Sequence, residues 1–331
     1  MNRVLCGFLG FSLAVLLLSA CGKGEAPASD GTMLSLTTEQ TGIDFTNTLT
    51  ETTELNIIEY LYYYNGGGVA IGDINNDGLE DIFFTANQGP DKLYLNKGDL
   101  KFEDISEQAN ILAENTWSSG VVMEDINNDG YLDIHVCKVG VGILPAAHNL
   151  VYINQKDGTF REMSAELGLD FQGFSTQACF LDYDHDGDLD LYLLNHNVHS
   201  VRSYGTSEKR KEQDPYAGDR FFENRMNEAE QSFVDVTTQT GIYTSPLGYG
   251  LAVACGDLNG DGWTDIYVGN DFHENDYIYF NNGDKTFTEE VDFWTDHTTQ
   301  FSMGVDIADL NNDLLPDIFS TDMLTFSEEV Y

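Results

Sequence analysis

The chain has 331 residues, 41% of them hydrophobic and only six of them proline, which is enough apolar material for one large or two medium-sized folded domains. It carries 15 lysines and arginines against 56 acidic residues, a formal net charge of −41. We expect no nucleic-acid partner, because binding of phosphates needs concentrated lysine and arginine. The remaining roles for the charge are binding of cations, binding of basic proteins, or solubility.

The N-terminal residues have the pattern of an export signal. Arg3 precedes an apolar run that ends at Leu18, which is short for a membrane-spanning helix. The sequence "LSAC", ending at Cys21, resembles a bacterial lipobox, which implies cleavage before this cysteine and lipid attachment to its thiol. We therefore expect residues 1–20 to be a lipoprotein signal peptide and residues 21–40 a flexible tether. The expected location is the bacterial outer membrane or cell surface, with an ordinary signal peptide or a retained membrane anchor as alternatives.

One short motif recurs five times along the rest of the chain. It begins as "DINNDGLED" and returns as "DINNDGYLD", "DYDHDGDLD", "DLNGDGWTD" and "DLNNDLLPD". We call these segments loops 1 to 5, and number the nine positions of each: residues 73–81, 125–133, 182–190, 257–265 and 309–317. Their starts are 52, 57, 75 and 52 residues apart, which indicates an internal repeat of domain-module length.

Each loop lies between two segments whose residues alternate with a period of two. In the first repeat Val69 and Ile71 precede the loop and Ile82 follows it, and the other repeats keep this pattern. Such alternation is typical of strands with one buried face. A further hairpin follows each of loops 1 to 4 and closes on a phenylalanine: Phe102, Phe160, Phe233 and Phe287. Four strands in about fifty residues predict an all-β fold, a β-propeller of four-stranded blades over residues 41–331.

The number of blades is left open by the sequence. The fifth repeat stops near Tyr331 without an outer hairpin, so the chain is either a truncated copy of a longer protein or a small five-bladed ring. The segment around Phe45 resembles an outer strand and is expected to complete the last blade. A small residue stands five positions before four of the loops, with Gln177 as the exception, and predicts close backbone approach near the propeller axis: Gly68, Gly120, Ala252 and Gly304.

Two further sets of residues are expected to serve packing. Cys137, Cys179 and Cys255 are scattered inside apolar runs, which indicates buried small side chains and no disulfide framework. The tyrosine-rich segment "EYLYYY", which ends at Tyr64, is expected to pack in strand and core, with sugar stacking as the alternative.

The side chains of the five loops predict a cation site. Aspartate or asparagine at positions 1, 3 and 5 and aspartate at position 9 face one centre, and position 7 adds its carbonyl. Calcium takes six to eight oxygen ligands at about 2.3 to 2.6 Å, so we expect Ca²⁺ as the cofactor. The candidate ligands are Asp73, Asn75, Asp77, Leu79 and Asp81 in loop 1; Asp125, Asn127, Asp129, Tyr131 and Asp133 in loop 2; Asp182, Asp184, Asp186, Asp188 and Asp190 in loop 3; Asp257, Asn259, Asp261, Trp263 and Asp265 in loop 4; and Asp309, Asn311, Asp313, Leu315 and Asp317 in loop 5.

The loops are not expected to bind equally. An EF-hand is not expected, because it would place a glutamate at position 12 and a helix on either side, whereas here the closing aspartate is at position 9 and strands flank the loop. Loop 3 has four side-chain carboxylates where the others have three and an asparagine, so it is predicted to bind most tightly. In loop 5, Leu314 replaces the glycine of position 6, and a left-handed backbone there would cost on the order of 1 to 2 kcal/mol. Polar turns without metal are the alternative for all five.

These motifs resemble the FG-GAP/VCBS repeats of integrin α-chain propellers and of many exported bacterial proteins. The runs "EYLYYYNGGGVAIGDINNDGLEDIFF" and "GNDFHENDYIYFNNGDKTF" are most similar to bacterial lipoproteins related to cartilage acidic protein, which often carry an ASPIC/UnbV domain. The resemblance spans about residues 40 to 325. It implies a calcium-bound propeller with metal loops on one face and ligand-binding loops on the other.

The function predicted from the sequence is a surface-anchored, non-catalytic binding or adhesion module for a protein or glycan. Its calcium would be structural, and its lipid would attach it to the membrane. The alternative is a propeller enzyme that acts on polysaccharide, with catalytic groups in the loops after the second strands. The candidates for that alternative, which otherwise are polar loop residues, are His196, His199, Asp271, His273 and Glu274.

Overall fold

The computed structural model describes residues 35–197, 207–228, 231–272 and 274–323. Its strands all lie in one compact unit, Thr38–Tyr331. The predicted signal peptide, the lipidation site Cys21 and most of the predicted tether fall outside the described residues. Within the described part of the chain, no helix is both long and apolar enough to cross a membrane.

The strands form four sheets of four strands and one sheet of two, which confirms the predicted repeat. Blade 1 consists of β1 (Val69–Gly72), β2 (Asp81–Phe84), β3 (Lys92–Asn96) and β4 (Phe102–Asp104). Blade 2 consists of β5 (Trp117–Glu124), β6 (Asp133–Val139), β7 (Leu150–Asn154) and β8 (Phe160–Glu162). Blade 3 consists of β9 (Ser175–Leu181), β10 (Asp190–Asn195), β11 (Arg220–Asn224) and β12 (Phe233–Asp235). Blade 4 consists of β13 (Gly250–Gly256), β14 (Asp265–Asn270), β15 (Tyr277–Asn281) and β16 (Phe287–Glu289), and blade 5 of β17 (Ser302–Ala308) and β18 (Asp317–Asp322).

The helices are single turns outside the sheets. They are α1 (Thr38–Thr41), α2 (Ser164–Leu167), α3 (Thr237–Thr240) and α4 (Val291–Trp294), with a short 3₁₀ helix at Ser207–Lys211. The turns α2, α3 and α4 follow the outermost strands of blades 2, 3 and 4, so they begin the connections to the next blades.

Every blade is an antiparallel meander in which each acidic loop joins the first strand to the second. The residue before each loop pairs with position 9, as in the pairs Gly72 with Asp81 and Glu124 with Asp133. The same register recurs in blades 3, 4 and 5. The loops are therefore equivalent in three dimensions, as their sequences predict.

Hydrophobic side chains fill the spaces between neighbouring blades. Phe83 and Leu93 of blade 1 pack in one buried cluster with Ile134 and Tyr152 of blade 2, and similar clusters join blades 2 with 3 and 3 with 4. The inner strands of neighbouring blades approach each other closely. A Cβ atom added to Gly120 would lie only 2.3 Å from the carbonyl oxygen of Thr176. The prediction of small residues beside the axis is confirmed at this position.

The two terminal blades leave apolar side chains exposed. In β1 the side chains of Val69 and Ile71 are 56% and 63% exposed, and in β18 the side chain of Phe319 is 56% exposed. Phe293 and Trp294, which follow blade 4, are also exposed. The described strands of blades 1 and 5 therefore each leave an apolar face uncovered.

The expectation for the segment around Phe45 was wrong. Phe45 stacks on Phe84 of blade 1 with ring centroids 4.9 Å apart, so it does not complete the fifth blade. Gly42, with φ 84°, lies against the carbonyl of Phe102, where a Cβ would be 2.4 Å from the oxygen, and Gly241 makes the same contact in blade 4. The segment is therefore a connection of the kind that precedes a blade, and its resemblance to an outer strand was misleading.

The cysteine prediction was also partly wrong. Cys179 on β9 and Cys255 on β13 form a disulfide between the inner strands of blades 3 and 4, with Cα atoms 6.7 Å apart. Cys137 is free and buried, as expected. The pairing could not be derived from spacing, because it depends on which strands of different repeats become neighbours.

An asparagine at the end of the third strand ties each of blades 2 to 4 to the preceding blade. The side-chain amide of Asn154 donates to the carbonyl oxygen of Ile74, in loop 1, at 2.8 Å. The side-chain amide of Asn281 donates to the carbonyl oxygen of Tyr183, in loop 3, at the same distance of 2.8 Å. These bonds fasten the backbone of one acidic loop to the next blade.

We predict that Asn154→Ala destabilises the domain more than Asn96→Ala does. Asn96 is the equivalent residue of blade 1 and donates to the carbonyl of Glu80 in its own blade. Loss of Asn154 also leaves the buried carbonyl of Ile74 without its donor, which costs about 1 to 3 kcal/mol. Urea unfolding of both variants measures the difference, and equal losses would contradict a bond between blades.

Candidate metal centre

All five acidic loops share two left-handed backbone positions. Position 6 has φ values of 85°, 87°, 92° and 91° at the four glycines, and 69° at Leu314, so the conformation that disfavours leucine is present there. Position 4 is also left-handed, at Asn76, Asn128, His185, Gly260 and Asn312. This second position was not anticipated, although asparagine and glycine at four of the five sites are its signal.

The backbone of each loop wraps around its first carboxylate. In loop 2, the carboxylate of Asp125 accepts hydrogen bonds from the backbone N–H groups of Asp129 and Gly130, at 2.8 and 2.7 Å. In loop 1, the carboxylate of Asp77 accepts from the N–H of Leu79 at 2.9 Å. The other loops repeat these contacts. Backbone donors therefore hold the side chains of positions 1 and 5 inward.

The aspartate of position 9 has a structural role beyond the ligand role predicted for it. Asp133 is fully buried and accepts from the N–H of Ile126, at position 2 of its loop, and from the N–H of Asn154, at the end of the third strand, at 3.1 and 2.8 Å. Asp81, Asp190 and Asp265 make the same two bonds. Position 9 therefore joins the loop to the blade.

Burial makes the charged form of these aspartates costly. Desolvation raises the pKa of Asp190 to about 8, of Asp133 to about 7 and of Asp265 to about 6, although their backbone donors act in the opposite direction. Other carboxylates of the same loops raise these pKa values further. A bound proton or a bound cation would relieve this cost.

Loop 3 brings its carboxylates closest together. Asp182, Asp184 and Asp190 each place one carboxylate oxygen within 4.8 Å of the other two. Oxygens that each lie about 2.4 Å from one calcium ion are at most about twice that distance apart, so this spacing fits a shared ion. In loops 1, 2, 4 and 5, as far as the structure describes them, the three carboxylates do not converge to this distance.

Unpaired oxygens in loops 2 and 3 provide the test of fit to a cation. The Oδ1 atoms of Asp182 and Asp188 are buried and have no hydrogen-bond partner among the described residues, and the same holds for Oδ1 of Asn127 in loop 2. A carboxylate oxygen can only accept, and a buried acceptor without a partner is costly. The donor set therefore fits a hard divalent cation, which would be held in loop 3 by Asp182, Asp184 and Asp190.

Lysines from hairpin turns contact two of the loops. Lys285, in the turn between β15 and β16, places its Nζ 2.7 Å from Oδ2 of Asp184 in loop 3. Lys156, in the turn between β7 and β8, places its Nζ 3.3 Å from Oδ2 of Asp129 in loop 2. No sequence signal revealed the contact of Lys285, because this lysine reaches loop 3 from the neighbouring blade.

The residues proposed for catalysis in the alternative prediction are largely engaged in packing. His196 is completely buried, its Nε2 lies 3.0 Å from the hydroxyl of Tyr60, and burial lowers its pKa to about 4. Asp271 accepts from the hydroxyl of Tyr62 at 3.4 Å and is 4% exposed. The tyrosine-rich segment thus packs in the core without forming a strand, and it covers both side chains.

Glu274 is likewise engaged. It accepts from the hydroxyl of Tyr277 at 2.7 Å and pairs with Arg210. His199 and His273 lie outside the described residues. The described part of the chain therefore presents no accessible pair of these groups for acid–base chemistry.

Comparison with known proteins agrees with the repeat. A family described as "FG-GAP-like repeat" matches residues 73–136 and 257–320, which contain loops 1, 2, 4 and 5. Cartilage acidic protein 1 of Xenopus tropicalis is 26% identical over 216 residues, which are 62% of this chain and 29% of that protein. The human protein of the same name is 26% identical over 208 residues, 62% of this chain and 28% of that protein. The match thus spans less than a third of either relative.

Among solved structures, a lectin of Agrocybe aegerita, described as recognising non-reducing terminal N-acetylglucosamine, aligns with a TM-score of 0.39 at 18% identity. The alignment covers 76% of this chain and 59% of the lectin. The chain is thus an all-β propeller of four-stranded blades that contains FG-GAP-like repeats at residues 73–136 and 257–320 and is similar in sequence to cartilage acidic protein 1 over part of its length.

Proposed function

We propose that the protein is a calcium-binding propeller that serves as a non-catalytic binding module for a protein or glycan. The convergence of Asp182, Asp184 and Asp190, together with the buried, unpartnered Oδ1 of Asp182, carries the calcium part of this proposal. The export signal and Cys21, which rest on sequence pattern alone, support attachment to the outer membrane or cell surface through lipid.

Calcium in these loops would act on stability. An ion that binds the folded state and not the unfolded chain stabilises the fold by mass action. It would also relieve the repulsion among carboxylates that the loop backbone holds together. Each loop joins the first and second strands of a blade, so an ion there would fix the inner edge of the blade.

Neighbouring loops contact each other, which would extend this effect from one blade to the next. The side-chain amide of Asn76 in loop 1 donates to the carbonyl of Gly130 in loop 2 at 2.9 Å. The ring of His185 in loop 3 stacks on Trp263 in loop 4 with centroids 3.9 Å apart. The proposed ions would thus stabilise one connected face of the propeller.

The opposite face supports binding over catalysis. There the segment that ends at Tyr64 covers His196 and Asp271 with buried tyrosine side chains. A histidine without solvent access does not exchange protons with a substrate. The proposed partner, a protein or glycan, would contact exposed loops on this face, and the lipid anchor would leave them accessible at the cell surface.

We predict that calcium raises the melting temperature of the purified domain and that a chelator lowers it. At a free concentration of about 100 times Kd, one site adds about 2.7 kcal/mol to the free energy of unfolding. Magnesium should stabilise less, because it demands a rigid octahedral shell. No shift of melting temperature with calcium would contradict the metal assignment.

Asp182→Asn should reduce the calcium-induced rise in melting temperature. Asp170→Asn is the matched control, since it removes the same charge from an exposed residue outside the loops. Differential scanning calorimetry with and without calcium measures both variants. An equal response of the two would show that Asp182 holds no ion.

We predict that the metal-free domain becomes more stable as pH falls from about 8.5 to about 6.5. Burial raises the pKa of Asp190 to about 8 and of Asp133 to about 7, so the folded chain takes up protons that the unfolded chain, with pKa values near about 4, does not. Below this pH range, His135 and His196 lower the stability as pH falls, because burial lowers the pKa of each to about 4 and the unfolded chain takes up their protons first.

Melting temperatures in chelator across this range test the prediction. With saturating calcium the trend should flatten or reverse, since protons compete with the ion for the same oxygens. A metal-free domain whose stability falls steadily from pH 8.5 to 6.5 would contradict the role given to these buried aspartates.

The binding role and the alternative of a polysaccharide-cleaving enzyme are separated by screening immobilised glycans and surface proteins for both retention and cleavage. Retention without turnover is expected. Turnover that disappears in His196→Gln, while the variant keeps its melting temperature, would overturn the non-catalytic proposal.

A further inference from the structure

Loop 3 has a cationic contact that its sequence does not reveal. Lys285 places its Nζ 2.7 Å from Oδ2 of Asp184 and 2.5 Å from Oε1 of Glu223, which lies on β11. The side chains of Asp184 and Glu223 are only 4% and 9% exposed, and that of Lys285 is 55% exposed. The lysine therefore reaches from solvent to two nearly buried carboxylates.

These carboxylates need a counter-ion. A buried charge is costly unless it is paired, and the ammonium group of Lys285 pairs with both of them. Arg225 also pairs with Glu223, at its other oxygen, so Lys285 is the contact that links Asp184 to this network. In the absence of calcium, this pairing holds Asp184 in place.

Lys285, Asp184 and Glu223 are all replaced at the equivalent site between blades 1 and 2. The hairpin turn of blade 2 faces loop 1 as the turn of blade 4 faces loop 3, and Gly158 stands there in the place of Lys285. Asn75 and Leu95 occupy the places of Asp184 and Glu223. Without the lysine, a cavity of about 260 Å³ remains open beside these residues.

We propose that Lys285 is a built-in counter-ion of loop 3 that competes with calcium for Asp184 and lowers the affinity of this loop for the ion. This inference rests on the proposed function. It opposes the tight binding expected from the carboxylate count, because a positive charge held one carboxylate away repels a divalent cation. The partial exposure of Lys285 limits the effect through screening by solvent and salt.

Two effects of Lys285→Met have the same sign. Removing the ammonium group ends its repulsion of the ion, and it leaves Asp184 and Glu223 without this partner in the metal-free state. Both changes favour calcium binding. Lys97→Met is the matched control, because Lys97 lies in the equivalent hairpin of blade 1 and pairs with Glu103 at 3.7 Å, away from the loops.

Calcium titrations of the two variants by isothermal calorimetry, at low and physiological salt, test the proposal. Lys285→Met should raise the affinity of one class of site by about tenfold or more relative to Lys97→Met, and the gain should shrink as salt rises. In chelator, Lys285→Met should melt at a lower temperature than Lys97→Met. Glu223→Gln should lower the calcium affinity, because Lys285 would then pair with Asp184 alone.

The outcomes separate this inference from the proposed function. If the wild-type protein takes up calcium but Lys285→Met and Lys97→Met titrate alike, the role of Lys285 is wrong and the calcium proposal stands. If the wild-type protein takes up no calcium, both fail. If Lys285→Met binds calcium more weakly than Lys97→Met, Lys285 supports the ion and does not oppose it.

Discussion

The rest of the structure depends on one buried aspartate in each of blades 1 to 4. At position 9 of the acidic loop, its two oxygens accept backbone N–H groups from the loop and from the third strand, as at Asp133. These bonds fix the loop against the blade, but they also place a carboxylate where water cannot solvate it. The fold buries this group in four successive blades, and a proton or a cation near each of them would relieve the cost.

The asparagine that contacts position 9 also makes a hydrogen bond between blades. The asparagine that donates its backbone N–H to position 9 also donates its side-chain amide to the loop of the preceding blade, as Asn154 does to Ile74. One residue thus connects the carboxylate, its own blade and its neighbour. The packing of Phe83 and Leu93 against Ile134 and Tyr152 fills the space beneath these bonds.

Equivalent positions nevertheless differ in electrostatics. Loop 3 has the most carboxylates, and it also receives the ammonium group of Lys285 from the next blade. Loop 1 has Asn75 at the corresponding position and faces Gly158, so it has neither the extra charge nor the lysine. The sequence of a single loop is therefore a poor guide to how strongly it would hold an ion, because part of its electrostatic environment comes from another repeat.

The sequence by itself determined the repeat, the four-stranded blades and the left-handed glycine of loops 1 to 4, because these depend on residues close together in the chain. It also predicted the oxygen donors of a cation site, but it missed the left-handed position 4 and the structural bonds of position 9. Only the tertiary structure decided which repeats become neighbours. The packing of the blades brings together Cys179 with Cys255, Phe45 with blade 1, Tyr60 with His196 and Lys285 with Asp184. Each of these joins residues far apart in the sequence, and their meeting depends on how the blades pack, which no local pattern encodes.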